Sequence, residues 1–335
     1  MKDAMIPLSF PPGQPRGWQR QMAEAFRTPE ALLAFLDLPP ERAAGCAQQA
    51  FRLKVPRYYA GLMTPGDPND PLLRQVLPLA DECRQAPGFV TDPTGDQSAS
   101  RGAGVLHKYR GRALVVTTGA CAVHCRYCFR RHFPYGEAGA RGDWQAVIDT
   151  LTAEPGLSEV ILSGGDPLVL EDTRLAELLT ALARLPGIRR LRIHTRTPVV
   201  LPDRLDDGLT RLLADCPLPL VVVLHANHPR EITEELADRL RPLRRAGITL
   251  LNQAVLLAGV NDDADTLAEL SERLHDCGVL PYYLHQLDRV AGAAHFEVSD
   301  PKARKLHQDL SARLPGYLVP RLVREVPGAA GKQSL

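Results

Sequence analysis

The sequence predicts an α/β protein: a partial, open (β/α)6 barrel of TIM-like build, with a mainly helical N-terminal extension and a short C-terminal segment. Two observations carry this. From about residue 112, short β-branched runs alternate with amphipathic stretches, the pattern of a parallel sheet with helical crossovers. In every unit the unusual polar residues also fall at or just past the C-terminal end of the strand. Barrel enzymes gather their reactive groups at that face.

Residues 1–105 read as the extension, helical, irregular and rich in proline. In TPEALLAFLDL (28–38) Thr28 can cap a helix whose apolar residues follow at helical spacing, while PGDPNDPL (65–72) and APGFVTDPTGDQ (86–97) are loop-like. The barrel is expected over 106–300. ALVVTT (113–118) is its first strand, and DWQAVIDTLTAE (143–154) a helix with Asp143 near its cap. EVILSG (159–164), RLRIHT (190–195), PLVVVLH (219–225), ITLLNQAVL (248–256) and VLPYYLHQL (279–287) are strands two to six. Helices over about 171–185, 203–214, 231–245 and 263–276 separate them. Six units are too few to close an eight-stranded barrel; they suit an open partial barrel, with a doubly wound sheet as the alternative. Residues 301–335 are expected to add a helix and a tail.

The 335 residues allow a sizeable core, and 44% hydrophobic with 24% charged residues is ordinary globular composition. A net charge of +1 argues against a broad nucleic-acid-binding field, and the basic run Arg239–Arg245 reads as a solvated helix face. The N-terminus, MKDAMIPLSFPPG, lacks the apolar run of a signal peptide, and no stretch is long and apolar enough to span a bilayer. A cytoplasmic location without membrane partners is expected.

Seven cysteines are present, and three cluster as Cys121, Cys125 and Cys128 in CAVHCRYCFRRHFPY. Cys46, Cys83, Cys216 and Cys277 stand alone and are expected as small buried hydrophobes. A cysteine triplet can hold zinc, with His124 or His132 as the fourth ligand, in a module without catalysis. It can also hold an iron–sulfur cluster whose fourth iron stays open to a small molecule. Its place after the first strand favours the second. In the same loop, His124, Tyr127, Phe129 and His132 are expected to pack. Near the end of the chain, Lys332 follows a run of Pro, Gly and Ala; composition alone makes this an unremarkable disordered tail.

Several motifs follow one another in the order found in the lysine 2,3-aminomutase family. They are CAVHCRYCFRRHFPY, SGGDPL, IHTRTPVVLP, NHPREITEE, LLNQAVLLAGVND, PYYLHQLD and the terminal PGAAGK, with DPNDPLLRQVLP ahead of them. The C-x3-C-x2-C loop and the Ser163-Gly164-Gly165-Asp166 turn likewise resemble the radical S-adenosylmethionine superfamily. The resemblance implies three cofactors: a [4Fe–4S] cluster on Cys121, Cys125 and Cys128; S-adenosylmethionine near Ser163, Gly164, Gly165, Asp166, His225 and Gln253; and pyridoxal phosphate carried covalently by Lys332. Lys108, Tyr109 and Arg112 would pack on the pyridoxal ring and hold its phosphate. Arg130 would bind the substrate carboxylate, and Asp288 and Glu325 its distal ammonium. The activity implied is an isomerase reaction: a 5′-deoxyadenosyl radical, fed by an external electron donor such as flavodoxin or ferredoxin, shifts the amino group of L-lysine from C2 to C3.

Lys108 stands where catabolic members have arginine, Glu325 where they have aspartate, and the chain ends shortly after Lys332. These departures resemble the branch that makes (R)-β-lysine, which a separate ligase attaches to translation elongation factor P. A catabolic enzyme making the (S) product and a radical enzyme acting on glutamate or arginine are the alternatives.

Overall fold

The computed structural model describes residues 17–140 and 142–335; the N-terminal stretch read above for a signal peptide lies outside them. Nine strands form one sheet whose spatial order equals their chain order: β1 (Val105–Tyr109), β2 (Arg112–Thr118), β3 (Glu159–Gly164), β4 (Arg190–Thr195), β5 (Leu220–Leu224), β6 (Thr249–Val255), β7 (Leu280–His285), β8 (Arg321–Arg324) and β9 (Gln333–Ser334). From β2 to β8 every neighbouring pair is parallel. The order never reverses, so the sheet is singly wound and the doubly wound alternative falls away.

Six βα units run from β2 through β7, and β8 is the seventh parallel strand. The crossover helices are Trp144–Ala153, Asp172–Ala183, Asp207–Ala214, Glu234–Arg245, Ala264–Asp276 and Asp300–Arg313. Five of the six starts are fixed by a side-chain cap. Asp143, Asp206, Thr233, Asp263 and Ser299 each accept a hydrogen bond from a first-turn backbone N–H. Thr28 caps Pro29–Phe35 in the same way, as its sequence suggests. Leucines on the inner faces of these helices meet Val160, Leu162, Leu191, Ile193, Val222 and Leu224 of the strands in the main core.

Three strands have no counterpart in the sequence reading. β1 pairs antiparallel with β2, and β9 pairs antiparallel with β8. The second pairing corrects the picture of a loose tail. Arg324 faces Gln333 and Val323 faces Ser334, which pins the chain immediately after Lys332. The expectation of four isolated cysteines also needs correcting. Cys46 and Cys83 form a disulfide across 37 positions, with Cα atoms 6.3 Å apart, whereas Cys216 and Cys277 are free.

The residues before β1 build a second apolar cluster. Trp18, Leu32, Leu33, Leu53, Tyr59, Leu72 and Leu73 pack there with Ala122 and Val123 of the cysteine loop and with Val200 and Leu201 after β4. The extension thus braces the loop after β2 from outside the barrel. Among the described residues no helix is long and apolar enough to cross a membrane.

Candidate active site

A cavity of about 470 Å³ opens at the C-terminal ends of the parallel strands. It is lined by Cys121, Cys125, Cys128, Lys108, Tyr109, Arg112, Arg130, Ser163, Gly164, Gly165, Asp166, His225, Gln253, Asp288, Glu325 and Lys332, so every residue that the family resemblance assigns to a cofactor or the substrate reaches one space.

The cysteine loop is held rigidly. Arg126, fully buried between two of the cysteines, donates from Nε to Glu82 Oε1 at 2.8 Å and from Nη2 to Glu82 Oε2 at 2.6 Å. It also reaches the carbonyls of Ala47 and Phe51, while its own N–H bonds Gln75 O at 2.8 Å. Enclosure, then the neighbouring Cys125, pushes the Cys128 thiol up to about 11; enclosure also raises Cys121 and Cys125. Left alone, these thiols stay protonated at neutral pH; a cationic metal centre makes them thiolates.

Among the described residues no three His, Cys, Asp or Glu side chains converge closely enough for a single ion. His124 donates Nδ1–H to Arg52 O at 2.8 Å and stacks on Phe51, and His132 donates Nε2–H to Ala291 O at 3.1 Å. Neither histidine is gathered with the cysteines into such a group. Three cysteines lining one cavity suit a polynuclear cluster, in which each sulfur binds a different iron. Tyr127 does more than pack: its hydroxyl bonds Arg196, and accepts from Asn227 Nδ2 at 2.7 Å.

After β3 the chain turns tightly. A Cβ on Gly164, at φ +114°, would lie 2.8 Å from Thr118 O, and one on Gly165 would overlap Ala120 O. Glycine is required at both positions, and it leaves bare backbone facing the cavity. The Asp166 carboxylate is fully engaged. Oδ1 accepts from Thr195 Oγ1 at 2.7 Å and Leu168 N at 3.0 Å; Oδ2 accepts from Arg196 N at 2.7 Å and Thr197 N at 2.9 Å. It ties the β3 turn to the end of β4 and offers no free oxygen to a ligand's amine. At the ends of β5 and β6, Gln253 Nε2 donates to His225 Nε2 at 2.9 Å; burial, with Arg196 and Arg130 adding, pushes His225 down to about 3, so its ring is neutral.

Most cavity charges are already matched. Lys108 and Arg130 share Asp96, Lys332 bonds Glu325 Oε2 at 2.7 Å, Arg192 pairs with Glu159 and Arg196 with Glu231. Glu325 also accepts from the Tyr109 hydroxyl. Two groups are unmatched. The Arg112 guanidinium lies 4.7 Å over the Tyr109 ring and makes no hydrogen bond or ion pair among the described residues. Nor does the Asp288 carboxyl. Burial pushes Asp288 up to about 7, Lys332 opposing the rise and Glu325 adding to it.

Asp96, Arg126, Arg196 and Glu231 are absent from the sequence reading. Asp96 lies in a stretch with ordinary loop composition, and Glu231 reads as a helix end. The IHTRTPVVLP and NHPREITEE motifs do contain Arg196 and Glu231, which was the available signal.

An open, singly wound barrel with three cavity cysteines on the loop after its first parallel strand defines a radical S-adenosylmethionine enzyme, and the Radical SAM superfamily matches residues 115–270. The L-lysine 2,3-aminomutase of Escherichia coli K12 is 49% identical over 95% of this chain and 94% of its own length. That of Haemophilus influenzae is 45% identical over 95% of both chains. The L-lysine 2,3-aminomutase of Clostridium subterminale is 36% identical over 94% of this chain but 76% of its own. The chain belongs to the lysine 2,3-aminomutase family and is an isomerase. Superfamily membership brings a [4Fe–4S] cluster and S-adenosylmethionine as cofactors.

Proposed function

We propose that the protein converts L-lysine to (R)-β-lysine in the cytoplasm, with pyridoxal phosphate as third cofactor, and that the product is supplied for ligation to elongation factor P. The carrying observation is the pair of unmatched charges in the cavity: Arg112 suits a phosphate and Asp288 suits an ammonium. Lys108 and Glu325, the departures that resemble the elongation-factor branch, support that branch over the catabolic one.

On this reading Cys121, Cys125 and Cys128 hold the cluster. Gly164 and Gly165 admit S-adenosylmethionine close to the backbone, Ser163, His225 and Gln253 line its side, and Asp166 keeps the turn in place. Lys332 attaches pyridoxal phosphate, Tyr109 packs on its ring, and Arg112 with Lys108 holds its phosphate. When bound, the cluster and S-adenosylmethionine supply a carbon radical, and pyridoxal phosphate holds the migrating amine.

The protein's own part is positioning. Arg130 grips the carboxylate with the edge of its guanidinium left free by Asp96, and Asp288 takes the far ammonium. Glu325 joins Asp288 once Lys332 no longer carries a charge. Fixing both ends of the substrate sets one carbon before the radical source, and such orientation supplies much of the rate. Of the extension expected over 1–105, the described part from residue 17 braces the cysteine loop; 106–300 form the barrel, and 301–335 bring Lys332 to the cavity.

The test is anaerobic incubation with L-lysine, S-adenosylmethionine, pyridoxal phosphate and a flavodoxin-type donor, followed by chiral chromatography. (R)-β-lysine is expected; the (S) product overturns the branch, and no β-lysine overturns the substrate. Lys332→Ala should keep the cluster's absorption and lose the pyridoxal band, and Cys125→Ala should lose iron.

A further inference from the structure

Asp96 has no role in the reading above beyond its contact with Arg130, yet it is among the most constrained side chains in the cavity. It is 1% exposed. Its Oδ2 accepts from Arg130 Nε at 2.6 Å; its Oδ1 accepts from Lys108 Nζ at 2.5 Å and Thr94 Oγ1 at 3.0 Å. The loop that presents it is itself fixed. Asp92 accepts from the N–H groups of Asp96 and Gln97, and Gly95 makes the turn at φ +66°. Burial works against the charge, but Arg130 and Lys108 outweigh it and hold the carboxyl down at about 2.

Arg130 is consequently immobilised on three sides. Asp96 holds Nε, Ser163 Oγ accepts from Nη1 at 3.1 Å, and the guanidinium lies 4.8 Å over the Phe129 ring. Nη2, which makes no hydrogen bond among the described residues, and the second hydrogen of Nη1 are left for a ligand, donors of a planar fork that fits a carboxylate.

We propose that Asp96 is a positioning residue for carboxylate recognition. It fixes the plane of Arg130 and ties that anchor to Lys108, the cation on β1. The inference rests on Arg130 being the carboxylate anchor. Two effects of removing the charge oppose each other. Losing the anion leaves two adjacent cations and a stronger attraction for any anion. Losing the brace frees a long side chain to rotate, which weakens two-point binding of one oriented carboxylate. Because Arg130 has two other contacts but no other carboxylate partner among the described residues, the brace dominates for an oriented amino acid, and the field dominates for small symmetric anions.

The experiment is anaerobic calorimetry on the loaded, unreduced enzyme, so that no turnover occurs, with three probes. For Asp96→Asn the dissociation constant of L-lysine should rise about ten- to a hundredfold. That of 1,5-diaminopentane, which has both amines but no carboxylate, should stay within about twofold, and inorganic sulfate should bind more tightly. Asp96→Glu, which keeps the charge, should recover part of the lysine affinity. An unchanged or lower lysine constant overturns the proposal; so does an equal loss for lysine and the diamine, which would mark a general structural defect. Arg130→Gln separates the two levels. If it leaves lysine binding intact, the anchor assignment fails; if it weakens lysine while Asp96→Asn does not, only the role of Asp96 fails.

Discussion

Asp288 is a half-buried carboxyl with no hydrogen-bond partner among the described residues, and its raised pKa has two measurable consequences. A folded-state value above the unfolded one means that ionising Asp288 works against folding. This cost begins above the unfolded pKa near 4, grows by about 1.4 kcal/mol per pH unit, and levels off above about 7. Asp288→Asn should therefore raise the melting temperature of the cofactor-free protein at pH 7–8 and leave it unchanged at pH 4; scanning calorimetry at the two pH values checks this. Substrate binding has the opposite sign. An ammonium needs the anion, so KM for L-lysine should fall as pH rises from about 6 to 8, and in Asp288→Asn it should be higher and flat over that range. Gly165 gives a sharper steric case. Its Cβ would overlap Ala120 O, so Gly165→Ala must displace either the turn or the cysteine loop. Loss of S-adenosylmethionine binding with iron retained would place the damage in the turn.

At the scale of elements, the support under the cysteine loop comes from segments far away in sequence. The Cys46–Cys83 disulfide flanks Ala47 and Glu82, the two residues that accept from Arg126 Nη2. Replacing both cysteines with serine should lower stability by about 2–4 kcal/mol in non-reducing urea titrations. Iron should be released faster to a chelator, and dithiothreitol should affect only the parent protein. If iron release is unchanged, the disulfide does not brace the loop. None of this could be read from the sequence, because Cys46 and Cys83 carry no local signal and only the fold brings them together. The crossover units were legible, since EVILSG and RLRIHT are β-rich runs followed by amphipathic helices, the second of them capped by Asp206. The Cys121–Cys128 spacing and the glycine turn were equally plain. β8 and β9 were not, because RLVR and QS are too short to show a period and exist as strands only by pairing with neighbours. Asp96 escaped for a related reason: a loop aspartate gains meaning only when Arg130 and Lys108 arrive beside it.

Across the whole molecule, the extension and the barrel are joined by one buried polar network. Glu231 accepts from Arg196 Nη2 at 2.7 Å, Tyr59 Oη at 2.7 Å, Gln75 Nε2 at 3.3 Å, Asn227 N at 2.5 Å and His228 N at 3.0 Å. Arg196 in turn reaches Gln75 Oε1 at 2.8 Å, and Tyr127 of the cysteine loop. Tyr59 and Gln75 belong to the extension, whereas Arg196, Asn227 and Glu231 follow β4 and β5. Such a network is strong only when complete. Removing one charge strands the other in a poorly solvating interior at a cost of about 3–5 kcal/mol. Glu231→Gln should thus lower the stability of the entire chain, and urea unfolding followed by tryptophan fluorescence and by far-ultraviolet dichroism should still give coincident transitions. Trp18 reports on the extension and Trp144 on the barrel, so Trp18→Phe and Trp144→Phe backgrounds let each part be followed separately. Equal shifts of both signals in Glu231→Gln are expected. A shift confined to Trp18 would mean that the extension melts by itself and that the barrel holds the cysteine loop without it.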